Sequence, residues 1–125
     1  MKLIVSVITI LFVTLPSKAQ EIGIASTFYD RIVACPPKYI NPYKTWGIAH
    51  KTLPCGTLVE VENLANRKKV IAPVIDRGPC TSLDCVAGTT AAYRRARERK
   101  FDLLPMVADG IQSTGLARIG LRVVR

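Results

Sequence analysis

Residues 57–79 read TLVEVENLANRKKVIAPVIDRGP and decide the fold. In the first part, Val59 and Val61 alternate with two glutamates, which predicts a strand over 57–64 with one buried face. The polar run Ala-Asn-Arg that follows is typical of a turn. A second, more continuous β-rich segment covers residues 69–75. The two segments together predict a β-hairpin.

One acid, Asp76, follows the second strand directly and begins the tight turn Asp76-Arg77-Gly78-Pro79. A carboxylate in a fixed turn at a strand end is a candidate for proton transfer. The alternative is structural: the oxygens of Asp76 accept backbone N–H bonds, or pair with Arg77, only to hold the turn. The pattern alone leaves both possibilities open.

The rest of the chain contributes short elements. Residues 22–28 predict a first strand, residues 89–100 predict a helix that Thr89 caps, and residues 117–123 alternate as a clean last strand. Prolines break any regular element over 35–46. Short strands, one helix and frequent Gly and Pro turns indicate a mainly β protein, a small barrel.

The N-terminus predicts an export signal. Lys2 precedes a predominantly apolar run of 13 residues, Leu3 to Leu15, and Ser17-Lys18-Ala19 is a small-x-small cleavage site. A retained anchor is disfavoured because about 20 apolar residues are needed to cross a bilayer. We therefore predict a signal peptide over residues 1–19, a single domain over residues 20–125, and a secreted or periplasmic location.

The charge is strongly positive. Loss of Lys2 and Lys18 with the leader lowers the formal net charge from +9 to +7, which attracts polyanions such as cell-wall polymers without indicating a fold. The predicted helix is especially basic. An exposed amphipathic helix is the favoured interpretation of this pattern, and a polyanion-binding face is the alternative.

Four cysteines in an exported chain indicate two disulfides with three possible connectivities. We favour Cys35–Cys55 and Cys80–Cys85, because each pair brackets one irregular segment. The 19, 24 and 4 intervening residues include no tight Cys-x-x-Cys pair, so a structural zinc site is disfavoured.

Two further residues carry possible chemistry. His50 is the only histidine, and an unshifted histidine titrates near neutral pH, so it can transfer protons; a histidine that holds a loop by hydrogen bonds is the alternative. Tyr29 offers a ring for sugar stacking, with a core role equally open.

Several segments together resemble the rare lipoprotein A (RlpA) family. They are GIASTFY (23–29), AHKTLPCGT (49–57), VENL (61–64), DRGP (76–79) and GLARI (115–119). The resemblance extends over nearly all of the mature chain. The AHKTLPCGT and DRGP segments are the most specific. The resemblance implies a six-stranded double-psi β-barrel.

The resemblance also implies action on peptidoglycan glycan strands. Active members are lytic transglycosylases, which cleave the bond between N-acetylmuramic acid and N-acetylglucosamine and leave a 1,6-anhydro end; some prefer strands stripped of peptide. Asp76 matches the family's acid and His50 its histidine, so both are predicted to be catalytic. Tyr29, Lys51, Arg77 and Gly78 are predicted to contact the glycan. We expect a monomer without cofactor or metal, without specific nucleic-acid binding and without a membrane span after leader cleavage.

Two departures from the family pattern favour an alternative. A family glutamate about eleven residues before the histidine is missing, since no Asp or Glu occurs between Arg31 and Val59. The family's acid in an Asp-Leu-Ser segment before a helix is also expected to be lost, with residues 88–90 in its place and Asp84 as the nearest substitute. The alternatives are a non-catalytic glycan-binding or envelope-assembly module, or an expansin- or barwin-like factor. An inverting hydrolase is disfavoured because it needs a second carboxylate.

Overall fold

A computed structural model describes residues 19–27, 34–36, 38 and 46–124. The predictions for the leader core, Tyr29 and the place of the missing glutamate near Tyr39 lie outside these residues. Within them, the strands are β1 (Glu21–Thr27), β2 (Ile48–His50), β3 (Leu58–Asn63), β4 (Lys69–Asp76), β5 (Arg99–Leu103) and β6 (Ala117–Val123). The helices are α1 (Leu83–Ala87), α2 (Ala91–Glu98) and α3 (Pro105–Gly110).

The six strands form a closed barrel in the order β1-β5-β2-β4-β3-β6. β1 pairs with β5 and β2 pairs with β4 in parallel, and the other four pairings are antiparallel. β5 lies between β1 and β2, and β2 lies between β5 and β4. The chain connections between these strands therefore cross, and the two crossings interlock. This is the double-psi arrangement, and the predicted six-stranded, mainly β barrel is confirmed.

The barrel interior is filled by the alternating residues of its strands. Val59 and Val61 of β3 face inward, as the hairpin pattern predicted, together with Ile119 and Leu121 of β6. In β1, however, Ile22 and Ile24 are exposed, whereas Ala25 is fully buried. Small and branched apolar side chains therefore close the centre of the barrel.

The described residues form three helices, whereas the sequence predicted one. The predicted helix is α2, which Thr90 rather than Thr89 caps by accepting a hydrogen bond from the Tyr93 N–H. α1 and α3 were missed because helices of five and six residues are too short to show helical periodicity. α3 buries Val107 and Ala108 against the barrel.

Both favoured disulfides are present in the structure. Cys35 bonds to Cys55 and Cys80 to Cys85, with Cα–Cα distances of 5.6 Å and 5.3 Å. The first joins the segment before β2 to the loop after it, and the second closes the turn between β4 and α1. Among the described helices, none is both long enough and apolar enough to cross a bilayer.

Candidate active site

A bulge in β4 brings Asp76 beside a second acid, Asp102. The register between β2 and β4 shifts so that Ile48 is the partner of Val74 while Ala49 is the partner of Asp76. On the other side of β2, Asp102 of β5 is also a partner of Ala49. Asp76 and Asp102 therefore lie on either side of Ala49. Their Cα atoms are two strand spacings apart, about 10 Å.

Asp76 and Asp102 line the same open cleft of about 350 Å³. Each residue is largely buried, with 5% and 8% of its surface exposed. The turn after β4, α1, α2 and β5 supply the remaining walls: Arg77, Gly78, Pro79, Cys80, Thr81, Ser82, Cys85, Ala96 and Arg99.

Hydrogen bonds fix the orientation of Asp76. Its Oδ1 accepts from the backbone N–H groups of Ala34 and Arg77, both at 2.8 Å. The adjacent Cys35 N–H donates to the Ile75 carbonyl at 3.1 Å, and the disulfide to Cys55 holds the same segment. The first disulfide therefore holds a hydrogen-bond donor against Asp76.

Asp102 has a different environment. The Ser26 hydroxyl donates to its Oδ1, and the Arg99 guanidinium donates to the Ser26 oxygen at 3.2 Å. Burial raises the pKa of Asp102 above its ordinary value of 3.8, and the charge of Asp76 adds to the rise, while Ser26, Arg99 and Lys51 oppose it. Asp102 therefore keeps its proton to higher pH than an exposed aspartate does.

The sequence analysis did not single out Asp102 as a site residue. Residues 88–90, where the family's Asp-Leu-Ser segment was thought lost, connect α1 to α2. An Asp-Leu pair does precede a helix, but it is Asp102-Leu103, just before α3. The sequence does contain a signal for the strand that carries Asp102, because Phe101 and Leu103 alternate with charged residues. A run of strong helix formers that ends at Lys100 directly precedes this pattern and obscures it. Asp84 is exposed and does not line the cleft.

Three curated relatives contain a similar sequence, and each carries the name probable endolytic peptidoglycan transglycosylase RlpA. The protein of Aquifex aeolicus is 44% identical over 96 aligned residues, covering 60% of this chain and 39% of the relative. Those of Treponema pallidum and Synechocystis are 38% and 35% identical, covering 58% and 62% of this chain but only 19% and 20% of the relatives. The chain is RlpA-like. No protein-family model matches it.

The RlpA-like domain therefore spans between about a fifth and two fifths of the length of these relatives. In its described part, no group of three or more His, Cys, Asp or Glu side chains is arranged to hold a metal ion.

Arg77 uses its guanidinium to hold a loop. Its Nη1 donates to the carbonyl of His50 at 3.1 Å and to that of Leu53, and its Nη2 lies 3.6 Å from the Cys55 sulfur. Its own N–H donates to Asp76. Arg77 thus joins the turn that carries the acid to the loop that carries the histidine.

His50 lies in a separate cavity of about 320 Å³, which it lines with Glu21 and Lys51. Its Nδ1 accepts from the N–H groups of Thr52 and Leu53, both at 3.0 Å. Nδ1 is therefore unprotonated, and Nε2 carries the proton towards the Glu21 carboxylate, 3.1 Å away. His50 and Asp76 lie on neighbouring strands, β2 and β4, and of the cavities formed by the described residues they line different ones.

The other predicted glycan contacts divide between the two cavities. Lys51 Nζ donates to the Arg97 carbonyl at 3.3 Å on the His50 side. Gly78 lines the cleft of the acids with φ of +134°, a conformation that L side chains rarely adopt. A Cβ there would lie 3.6 Å from Asp102 Oδ2, an ordinary van der Waals contact, so the turn at Gly78 borders that carboxyl.

The raised pKa of Asp102 predicts a pH-dependent cost to stability. When the pKa of an acid is higher in the folded than in the unfolded protein, the acid contributes fully to the free energy of unfolding only below its unfolded pKa, about 3.8 here. That contribution is lost as the pH rises through the folded pKa. Asp102→Asn removes the charge while keeping an acceptor for Ser26. We expect the free energy of unfolding of this variant, relative to the wild type, to rise between about pH 3.5 and neutral pH.

Urea denaturation of both proteins across that pH range measures this difference. Asp109→Asn, which changes an exposed carboxylate on α3, is the matched control and should give a flat difference. A flat difference for Asp102→Asn as well would contradict the raised pKa.

Proposed function

We propose that the RlpA-like domain is a lytic transglycosylase that cleaves peptidoglycan between N-acetylmuramic acid and N-acetylglucosamine. The observation that carries the proposal is the pair of acids, Asp76 and Asp102, in one open cleft. The names of the three relatives support the substrate class.

Asp102 is assigned as the acid because burial raises its pKa. It donates a proton to the glycosidic oxygen as the bond from that oxygen to C1 of the muramic sugar breaks. The C6 hydroxyl of the same sugar then attacks C1, and its proton passes to the Asp102 carboxylate. The products are a 1,6-anhydro end and a free 4-hydroxyl, water is not consumed, and the acid is regenerated.

Asp76 is assigned to the cationic centre that develops at C1. Its carboxylate is oriented by two backbone donors and therefore supplies negative charge without reorganising. In this proposal Asp76 and Asp102 are the two catalytic residues, whereas the sequence predicted Asp76 and His50. The Gly78 backbone forms part of the glycan-binding wall.

We propose positioning roles for His50 and Arg77 instead of proton transfer and substrate contact. Both ring nitrogens of His50 are engaged, and protonation of Nδ1 would break two backbone hydrogen bonds. Arg77 places its own N–H on Asp76 while its guanidinium ties down the 50–55 loop. Lys51, which lines the cavity of His50, is proposed to contact a more distant part of the glycan. The predicted glycan contact of Tyr29 stays a proposal.

The test is incubation of the purified domain with purified sacculi, followed by mass spectrometry of the soluble products. We expect new 1,6-anhydro muramic ends. Reducing muramic ends would instead indicate hydrolysis. Hydrolysis is a specific alternative because the cleft contains the second carboxylate that a hydrolase needs. Binding to sacculi without soluble products would favour the glycan-binding module.

We further propose that the domain is a monomer exported by cleavage of residues 1–19. N-terminal sequencing of protein recovered from the periplasm or medium should begin at Gln20, because Ser17-Lys18-Ala19 forms the cleavage site. The cytoplasmic precursor, beginning at Met1, is the control. Recovery of exported protein that retains Met1 would contradict cleavage.

A further inference from the structure

A chain of hydrogen bonds leads from Arg99 through Ser26 to Asp102. Arg99 Nη1 donates to the Ser26 oxygen at 3.2 Å, and the Ser26 hydroxyl donates to Asp102 Oδ1. Ser26 and Asp102 are partners in the parallel pairing of β1 with β5, and both are buried. Ser26 therefore stands between a permanent cation and the acid.

A bulge in β5 brings Arg99 to the same side of the strand as Asp102. The register between β1 and β5 shifts by one residue after Ile24, so β5 contains one extra residue, Lys100. Regular alternation would place Arg99 on the face of Phe101, which fills the barrel core. Because of the bulge, Arg99 and Asp102 instead line the cleft of the acids together. Strand register therefore places the guanidinium beside the acid.

This chain of hydrogen bonds determines which oxygen of Asp102 carries the transferable proton. An arginine side chain can only donate hydrogen bonds, so the Ser26 oxygen accepts from Arg99 and the hydroxyl hydrogen is directed to Asp102 Oδ1. Because Oδ1 accepts that bond, the carboxylic acid carries its own proton on Oδ2. Oδ2 lies on the side of Gly78, whose turn borders the cleft where the glycan is proposed to bind.

The same chain stabilises the carboxylate that remains once the proton has left. Four groups act on Asp102: Ser26 from β1, Arg99 from β5, Asp76 from β4, and Lys51 from the loop after β2. Burial and the charge of Asp76 raise the pKa of Asp102, while the other three groups lower it. A general acid must hold its proton at the operating pH and still release it to the substrate. Ser26 and Arg99 assist that release.

We propose that Ser26 and Arg99 are positioning residues that direct the proton of Asp102 towards the Gly78 side of the cleft and stabilise the carboxylate left behind. The proposal rests on the proposed function, in which Asp102 gives its proton to the glycosidic oxygen and recovers one from the C6 hydroxyl. Ser26 keeps its hydroxyl hydrogen and Arg99 keeps its charge throughout. Their effect reaches the substrate only through Asp102.

The test is the pH dependence of anhydro-end formation from sacculi, together with titration of the Asp102 carboxyl carbon by NMR in the free domain. Ser26→Ala should lower the rate at the pH optimum by about 10- to 100-fold, as expected for the loss of a hydrogen bond to a charged group. It should also move the alkaline limb of the rate profile and the Asp102 titration to higher pH, because a donor that lowers the pKa is lost. Arg99→Met, which leaves Ser26 in place, should move the titration in the same direction.

Thr27→Val is the matched control for Ser26→Ala. It removes the neighbouring hydroxyl on β1, which is buried and has no hydrogen-bond partner among the described residues. The rate should stay within about twofold of the wild type, and the Asp102 titration should not move. Asp102→Asn identifies the NMR signal, because it removes the titrating carboxyl.

An Asp102 titration that either Ser26→Ala or Arg99→Met leaves unmoved, or moves to lower pH, would overturn the proposal. A loss of rate in Ser26→Ala that is equal at every pH would also overturn it, because a purely structural role has that effect. The titration does not require turnover. A domain that forms no 1,6-anhydro ends, but in which both variants move the Asp102 titration to higher pH, would therefore contradict the proposed function alone. A domain that forms such ends, but whose Asp102 titration does not respond, would contradict the positioning proposal alone.

Discussion

Asp102→Asn is expected to lower the rate of 1,6-anhydro end formation from sacculi by about 10²- to 10⁴-fold, the usual contribution of a general acid. The amide cannot donate a proton to the glycosidic oxygen, yet it preserves an acceptor for the Ser26 hydroxyl. Because the buried charge is removed, the variant should remain folded. The measurement is the initial rate of anhydro-muropeptide release, quantified by mass spectrometry.

Asp109→Asn on α3 is the matched control and should leave the rate unchanged within about twofold. Asp76→Asn should also lower the rate, since it removes the negative charge beside the cationic centre. If Asp102→Asn keeps full activity while Asp76→Asn loses it, the assignment of the acid to Asp102 is wrong and Asp76 performs both proton transfers.

Replacing both Cys35 and Cys55 by serine is expected to lower the free energy of unfolding by about 3 kcal/mol, from the entropy of a closed loop of 20 residues. It should also lower the rate of anhydro-end formation under conditions where the variant is still folded. The reason is local: the Ala34 N–H, next to Cys35, would no longer be held against Asp76 Oδ1.

The second disulfide provides the comparison. Replacing Cys80 and Cys85 opens a loop of only 5 residues, so the expected loss is smaller, about 2 kcal/mol. Urea denaturation at neutral pH measures both losses. An unchanged free energy of unfolding after removal of Cys35 and Cys55 would contradict the stabilising role of the first disulfide. A folded variant with a full rate would contradict its role at Asp76.

Local patterns predicted the elements whose signal is contained in their own residues. The hairpin of β3 and β4 and the last strand, β6, were found because alternation is read within six to eight residues. β2 and β5 were missed as strands. β2 has only three residues, too few to alternate, and β5 follows α2 without a breaker, so helix formers obscured its start.

The candidate site shows the same division. Asp76 was found because its turn is contiguous, with a glycine and a proline that identify it. Asp102 lies 26 residues further on, and only the pairing of both acids with Ala49 makes it part of the same cleft. The sequence also predicted a site role for His50, but the partners of its ring, the N–H groups of Thr52 and Leu53 and the Glu21 carboxylate, became visible only in the tertiary structure.

The sequence by itself determined the barrel class, the hairpin, the turn that begins at Asp76 and the cysteine pairs that the structure contains. These features depend on residues that are close together in the sequence. The tertiary structure alone decided which acid stands beside Asp76 and why the pKa of Asp102 rises. Burial and the charge of Asp76 cause that rise, and both come from strand register and a bulge between segments far apart in the chain.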